Sequence, residues 1–428
     1  MSKRAFQLRR LFHVVNGGTP VGNPENWGGD VTWITPDDLG RTGGHRISNS
    51  ARTLTAAGLR SAANLVPPGS IVLSTRAPIG HVAIADVPLA FNQGCKGLVP
   101  RRPLDERFFY YQLLARRAEL QARGQGSTFA ELSTGSLGAV RVVCPPSDEQ
   151  RRIATALDEV DAQIRAGIDR SHRLHALVRE RLNAHIIQSV APWVLDWKPG
   201  GWASELSMHA VPPGFRATPL KYTLDSVVGG VWGSDADGGS DDLRCVRVAD
   251  FDRDRAVVVG NVPTLRSVPK QQRLGRELRA GDLLLEKSGG GDRQVVGAVA
   301  QYCSDQSAVC SNFIARLRPT GAYNSDYLRF LHRALYLVGR SRMYVKQTTG
   351  IQNLDVDLYL CEVVAIPDKR RQEKIANELV GATEDALRTV RSIERQIELF
   401  QERRQALVTA AVTGQLDPSA YHEPAVSA

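Results

Sequence analysis

Apolar residues recur at spacings of three and four along two long stretches of the chain. In the second stretch Ile375, Leu379, Leu387, Val390, Ile393, Ile397, Phe400, Leu407 and Ala411 keep this rhythm over several heptads, with Arg and Glu interleaved on the other faces. That is the signature of an amphipathic helix with a coiled-coil-like seam. In the first stretch no proline occurs from Asp148 to about Val190, and only Gly167 interrupts the pattern. Ser147 followed by Gln150 predicts a capping box at its start. Helices of about 40 residues extend roughly 60 Å. A long apolar stripe needs cover, and the economical arrangement packs the two helices antiparallel on each other. The alternative lays each helix on its own domain.

Ahead of each long helix the pattern changes to short β-like runs bounded by Gly and Pro. Ser70–Thr75, His81–Ala85 and Val140–Val143 read as strands in the first half, and Cys245–Val248, Asp282–Leu285 and Val363–Ile366 in the second. Each half adds one helical pattern, Glu106–Leu120 and Ser325–Val338. The expected fold class is α+β, with two globular domains and two long antiparallel helices related by an internal repeat. The expected segments are a first domain over 1–146, a helix over 147–191, a linker over 192–217, a second domain over 218–367, a helix over 368–414 and a tail over 415–428. The linker, running through Trp193, Trp197 and Trp202 to Phe215, is rich in Pro, Gly and Trp. Covering a helix end suits its tryptophans better than docking a partner.

The repeat is explicit in the residues. Gln150, Ile153 and Leu157 return as Gln372, Ile375 and Leu379, a constant offset of 222. The same offset carries Glu180-Arg181 onto Glu402-Arg403, Ala184 onto Ala406 and Val190 onto Val412. Upstream the match loosens: Leu65–Arg76 parallels Leu278–Lys287, and Phe91–Pro100 parallels Cys310–Pro319. A tandem duplication whose helices stay alike while its globular parts diverge holds one frame and presents two surfaces.

Composition narrows the field. Lys plus Arg exceed Asp plus Glu by 54 to 45, giving a net charge of +9 over 428 residues, a mild lean towards a polyanionic partner. The six cysteines form no CxxC pair and lie beside no histidine at ligand spacing. They read as buried small residues of a reducing cytoplasm rather than a zinc site or a disulfide framework. No run of 18 apolar residues occurs, so no membrane partner is expected and the location expected is cytoplasmic. Catalytic equipment is missing from the pattern. There is no Gly-rich cofactor loop joined to an Asn/Asp-Pro-Pro-aromatic motif, no GxxxxGK[ST] phosphate loop around Ser288–Asp292, and no nucleophile elbow. Glu286-Lys287 near Asp282 has the wrong spacing for a metal-dependent nuclease.

Several pieces, in order, carry a resemblance. They are Gly17-Gly-Thr-Pro20, Trp33-Ile-Thr-Pro-Asp-Asp-Leu39, Leu73-Ser-Thr-Arg-Ala-Pro-Ile-Gly80, Asn92-Gln-Gly-Cys-Lys96, Gly126-Ser-Thr-Phe-Ala-Glu-Leu132 and Pro145-Pro-Ser-Asp-Glu-Gln150. Gln401-Glu-Arg-Arg404 and Ala411-Val-Thr-Gly-Gln415 follow near the end. Along nearly its whole length the chain resembles the specificity subunits of type I restriction–modification systems. The resemblance implies a non-catalytic subunit whose two target-recognition domains each read half of a split site in double-stranded DNA. It implies two methyltransferase subunits that modify adenine and motor-nuclease subunits that cleave. S-adenosylmethionine, ATP and Mg then belong to the partner subunits, and this chain holds no cofactor. Rigid spacing between two readers suits half-sites on a helical duplex. One departure is Ser288-Gly-Gly-Gly in the second half where the first has Thr75-Arg-Ala-Pro, so different half-sites are expected.

The candidate DNA contacts are polar and basic loop residues near these pieces: Arg76, Lys96, Ser127 and Thr128, then Lys287, Arg293, Lys346, Thr348, Thr349 and Gln352. Arg and Lys suit guanine edges or phosphates, Ser and Thr suit phosphates, and Gln suits adenine. Local turn capping for Ser and Thr and plain solvation for the cations are the alternatives. The candidate partner contacts are Glu180, Arg181, Glu402 and Arg403, with helix-stabilising ion pairs as the alternative. A stand-alone enzyme with an unrecognised site and a protein-binding scaffold remain the competing functional readings.

Overall fold

The computed structural model describes residues 4–42, 45–124, 130–191, 211, 213–291, 294–348 and 350–416. The described residues divide into two compact units. One comprises Met1–Ser171 with Arg395–Ala428, the other His172–Glu394. Each unit is therefore one globular domain together with part of each long helix.

In the first unit β1 (Ala5–Gln7) pairs antiparallel with β10 (Arg141–Val143). A five-stranded sheet runs in the order β2 (Phe12–Asn16), β9 (Cys95–Pro100), β6 (Ile71–Ser74), β7 (Val82–Ala85), β4 (Arg46–Ile47). Beside it a three-stranded sheet joins β5 (Arg52–Leu54), β3 (Trp27–Ile34) and β8 (Leu89–Phe91), with β3 and β8 parallel. Strands β6, β7 and β8 are buried throughout. Such continuous apolar runs are what a strand covered on both faces needs. The helix α1 (Glu106–Ala115) starts at Asp105, whose carboxylate caps the N–H groups of Arg107 and Phe108, and the pattern expected to reach Leu120 breaks at Arg116 into a second short helix.

The second unit repeats this plan. Its first pair is β11 (Phe215–Pro219) with β25 (Val363–Pro367). The main sheet runs β12 (Leu224–Gly229), β22 (Ile314–Pro319), β18 (Leu283–Glu286), β20 (Val299–Gln301), β16 (Val257–Val258), β15 (Phe251–Asp252). The smaller sheet holds β13 (Ser234–Asp235), β17 (Leu265–Ser267), β14 (Asp242–Val246) and β21 (Ala308–Cys310), again with one parallel pair, β14 and β21. One further sheet joins β19 (Ser288–Gly289), β24 (Ile351–Leu354) and β23 (Val345–Thr348), and its counterpart among the described residues of the first unit is an isolated antiparallel bridge between Arg76 and Glu131. Helix α3 (Ser325–Leu337) takes the place of α1 and is capped by Asn324.

The long helices are α2 (Ser147–Val190) and α4 (Lys369–Thr413). Within the first unit they run antiparallel: Asp161 meets Arg404, and the ring of Phe400 lies against Gly167. A Cβ on Gly167 would stand 3.0 Å from that ring, so the isolated glycine is the close-approach point of the pair. Within the second unit the pairing is again antiparallel, His175 reaching Glu394 at 3.5 Å and His185 reaching Glu378 at 3.5 Å. Helix segments complete each core. Ile153, Ala154, Leu157, Val408, Ala411 and Val412 join the first core, and Leu182, Ile186, Val190, Ala376 and Leu379 join the second.

Two expectations need correction. Ser147 is the first helical residue, not a cap, and Gln150 forms no capping box. Its amide donates to Pro145 O at 2.7 Å and accepts from Asp105 N at 3.0 Å. The physical reason is burial: at 2% exposure the amide must satisfy the junction between β10, α1 and α2. Gln372 makes the equivalent bonds, to Pro367 O at 2.8 Å and from Asn324 N at 2.9 Å. The cysteines are also not uniformly buried, since Cys303 and Cys361 are exposed, although all six are free thiols. The linker tryptophans Trp193, Trp197 and Trp202 lie outside the described residues.

Candidate nucleic-acid interface

In each domain three loops are tied together by the same backbone bonds. In the first, Gly17-Gly18 leaves the end of β2, and a Cβ on Gly17 would fall 1.9 Å from Asn92 O. Only glycine admits that approach. Gly18 N donates to Phe91 O at 2.9 Å, and the Trp33 indole N–H returns to Gly18 O at 3.0 Å. The turn between β8 and β9 then accepts the segment after β6, Thr75 N donating to Gly94 O at 2.8 Å, while Leu132 N donates to Thr75 O at 2.8 Å.

The second domain uses the same scheme. Gly230 lies so close to Ser311 O that a Cβ would be 2.2 Å away. Val231 N donates to Cys310 O at 2.8 Å, Lys287 N to Phe313 O at 2.9 Å, and Leu354 N to Lys287 O at 2.8 Å. The side chains on this shared frame differ. The first rim carries Thr19, Asn92 and Gln93, with Thr19 and Gln93 in contact. The second carries Trp232 and Phe313, 37% and 46% exposed, around a cleft of about 390 Å³ also lined by Arg247, Asn312 and the Ser288–Gly290 segment.

The candidate contacts fall into several settings. Arg76 is half exposed, and its guanidinium donates to Glu131 at 3.0 Å. Lys96 is not on a loop surface. It lies on β9 at 6% exposure and donates to Asn16 Oδ1 at 3.0 Å, an oxygen that also accepts from Thr134 at 2.8 Å. Burial pulls its ammonium below the ordinary lysine range. Gln352, also 6% exposed, is held on β24. Its amide accepts from Val296 N at 3.3 Å and donates to Gly291 O at 3.5 Å, so its hydrogen-bonding edge is engaged in the loop. Lys287 is partly exposed beside Gly229, and Lys346 is exposed with its ammonium 2.9 Å from Asp355. The hydrogen bond from Lys346, then that from Leu358 N, hold the Asp355 carboxyl below its usual range. Thr348 ends β23, and nothing is described of its side chain; Ser127, Thr128, Arg293 and Thr349 lie outside the described residues.

Of the helix residues, Glu180 and Arg181 are exposed in the second unit. Glu402 is exposed in the first, 3.5 Å from Arg395, while Arg403 beside it is half-buried. The structure also brings to the rim residues that were not among the candidates: Thr19, Asn92 and Gln93 in one domain, Trp232, Arg247, Asn312 and Phe313 in the other. Thr19, Asn92 and Gln93 stood inside quoted motifs, so a signal existed. Arg247 stood inside a run read simply as a strand. Among the described residues no group of three or more His, Cys, Asp or Glu is placed to hold a metal, and no helix is long and apolar enough to cross a membrane.

Residues 3–170 match the family model described as the type I restriction modification DNA specificity domain. The chain is 32% identical over 197 residues to the type I restriction enzyme MjaIX specificity subunit of Methanocaldococcus jannaschii, covering 45% of this chain and 44% of that protein. Over these stretches the chain is similar to type I specificity proteins. It is also 30% identical over 154 residues to the EcoR124I/EcoR124II specificity subunit of Escherichia coli, covering 34% of this chain and 37% of that one. The matched stretches thus span less than half the length of these curated relatives. In fold it resembles a chain from a structure of complex assembly and conformational transition of the type I R-M system, with a TM-score of 0.68 at 16% identity, covering 96% of this chain and 98% of that one. The HsdS subunit from Thermoanaerobacter tengcongensis aligns with a TM-score of 0.50 at 15% identity over 96% and 97% of the two chains.

Proposed function

We propose that this chain is the DNA-specificity subunit of a type I restriction–modification complex. It reads a two-part target, one half per recognition domain, and directs methyltransferase and motor-nuclease subunits to it without chemistry of its own. The observation that carries this reading is the pair of rims: one backbone frame, built twice, bearing two different sets of polar and aromatic side chains. A protein that reads two different half-sites needs that combination, since a common frame fixes the approach while the side chains specify bases. The specificity-family likeness of the first domain points the same way.

In this reading the contacts to DNA come from the rims and their flanks: Arg76, Lys287, Lys346 and Thr348, with Ser127, Thr128, Arg293 and Thr349 on adjoining segments. Lys96 and Gln352 act beneath the rim, holding its loops. Glu180, Arg181, Glu402 and Arg403 offer the helix surfaces for two methyltransferase subunits. S-adenosylmethionine, ATP and Mg are used by the partners, in the cytoplasm. The decisive experiment co-expresses this chain with its methyltransferase in a host free of adenine methylation and maps modified adenines genome-wide. A split motif with a fixed gap is expected. A stable, cofactor-binding complex that modifies no motif would overturn the proposal.

A further inference from the structure

We propose that Arg247 is the base-reading residue of the second recognition domain and that it selects a guanine. The inference rests on the specificity-subunit reading above. Thr35 and Arg247 occupy the same node of the two frames. Each follows the strand that pairs in parallel, and each backbone N–H donates to a buried carboxylate three residues on, Thr35 to Asp38 at 2.9 Å and Arg247 to Asp250 at 2.8 Å. In the first domain the node is closed, because the Thr35 hydroxyl is spent on Asp38 at 2.6 Å.

In the second domain the node is open. The Arg247 side chain is 42% exposed, and its ion pair with Asp250 is long, at 3.6 Å. Its Nε is buried and has no hydrogen-bond partner among the described residues, so the exposure belongs to the rest of the side chain. The side chain lines the cleft of about 390 Å³ whose rim includes Trp232, Asn312 and Phe313. Gly289 and Gly290, with φ of 113° and 65°, form part of the same lining, so that stretch carries no side chain to obstruct an approaching base edge. A phosphate contact needs only an exposed cation. Arg247 is instead set into a cleft, at a node of the shared frame where the first domain carries a hydroxyl and the second a planar, two-pronged donor. That fork matches guanine O6 and N7 in the major groove.

The test uses the complex of this chain with its methyltransferase. Adenine maps are made for the wild type, for Arg247→Ala and for Arg247→Thr, the last copying the residue the first domain carries at this node. The expected result is relaxation of one guanine position in the second half-site, by about fivefold to a hundredfold. The first half-site stays as stringent as in the wild type, which reports a folded, assembled complex. An unchanged motif, or a uniform loss of modification with the motif intact, would overturn the assignment, the latter marking a phosphate contact. Should the variants not assemble, binding of the wild-type complex to duplexes carrying 7-deazaguanine decides the matter. Weakened binding at one guanine of the second half-site is expected, and insensitivity at every guanine there overturns the proposal. A wild-type complex that yields no motif at all marks failure of the specificity reading itself, a separate result.

Discussion

The two globular domains share their frame yet differ in how they fill it. At the point where Leu8 N donates to Val140 O in the first domain, Leu220 N donates to Glu362 O in the second, both at 2.9 Å. Val140 is an apolar core residue, whereas Glu362 is a carboxylate 3% exposed, held by Arg340 and by the Tyr344 hydroxyl. The same contrast runs along the equivalent helices. Leu113 of α1 is buried apolar surface, while His332 of α3, at the matching place, is a fully buried imidazole 2.7 Å from the Tyr359 hydroxyl. One backbone plan is thus compatible with an apolar and with an ionic interior. What the duplication preserves is main-chain geometry and the junction glutamines, and side chains vary wherever the new group finds partners.

The comparison breaks hardest at Glu362. Glu362→Ala removes the buried carboxylate to which Arg340 and the Tyr344 hydroxyl donate and should cost the His172–Glu394 unit about 3–5 kcal/mol, while the double change Arg340→Met with Glu362→Val, the second of which copies Val140, should recover most of it. Denaturant unfolding followed by proteolysis of each unit reads this directly; a loss below about 1 kcal/mol would show the pair to be dispensable. Acid comes next. Burial lowers the His332 pKa to about 4 from an unfolded value near 6.5. Between those values the unfolded chain binds more protons. The stability His332 confers by staying neutral is therefore complete above about pH 6.5 and is lost as pH falls towards 4, by up to about 3 kcal/mol. His332→Leu, which copies Leu113, should flatten that part of the pH–stability curve, and an unchanged slope would refute it.

Smaller effects sharpen what the domains share. Gln150→Ala and Gln372→Ala each leave a buried N–H and a buried carbonyl without partners and should each cost about 2 kcal/mol, equally in the two units. Unequal losses, measured by the same unfolding assay, would mean that the junctions are alike in geometry only. At the rim, Glu131→Gln removes an exposed ion pair whose contribution to stability is under about 1 kcal/mol. By freeing Arg76 for phosphate it should steepen the salt dependence of DNA binding by about one unit. A slope unaltered in a binding titration across salt concentrations would place Arg76 off the DNA.

Much of this architecture is legible in the residues alone. The spacing of three and four from Ile375 to Ala411, the matching stretch after Asp148, and the offset of 222 expose two long helices and a duplication, because helical burial and repetition leave periodic traces in a linear sequence. Strand positions such as Ile71–Ser74 and Val363–Pro367 were marked by apolar runs between Gly and Pro. The interface was legible only in part. The quoted motifs fall on the loops that the backbone bonds tie together, but a motif does not say in which direction each of its basic side chains points. Lys96 sits in a motif and looks like a surface cation, yet strand alternation turns it under the rim towards Asn16. Gln352 sits near the right loop and faces inward for the same reason.

The sequence by itself thus determined the periodic features: element type, the two-fold repeat, the absence of recognised catalytic motifs and the likeness to a family. Tertiary structure decided everything that depends on which distant residues meet. It turned Gln150 from a helix cap into a clamp between β10, α1 and α2, made Gly167 the seat of Phe400, and set Thr35 and Arg247 on one node of two frames. The reason is physical. Periodicity is written along the chain, but the burial of a polar group, and hence the partner it must find, is fixed only once the sheets and helices have closed around it.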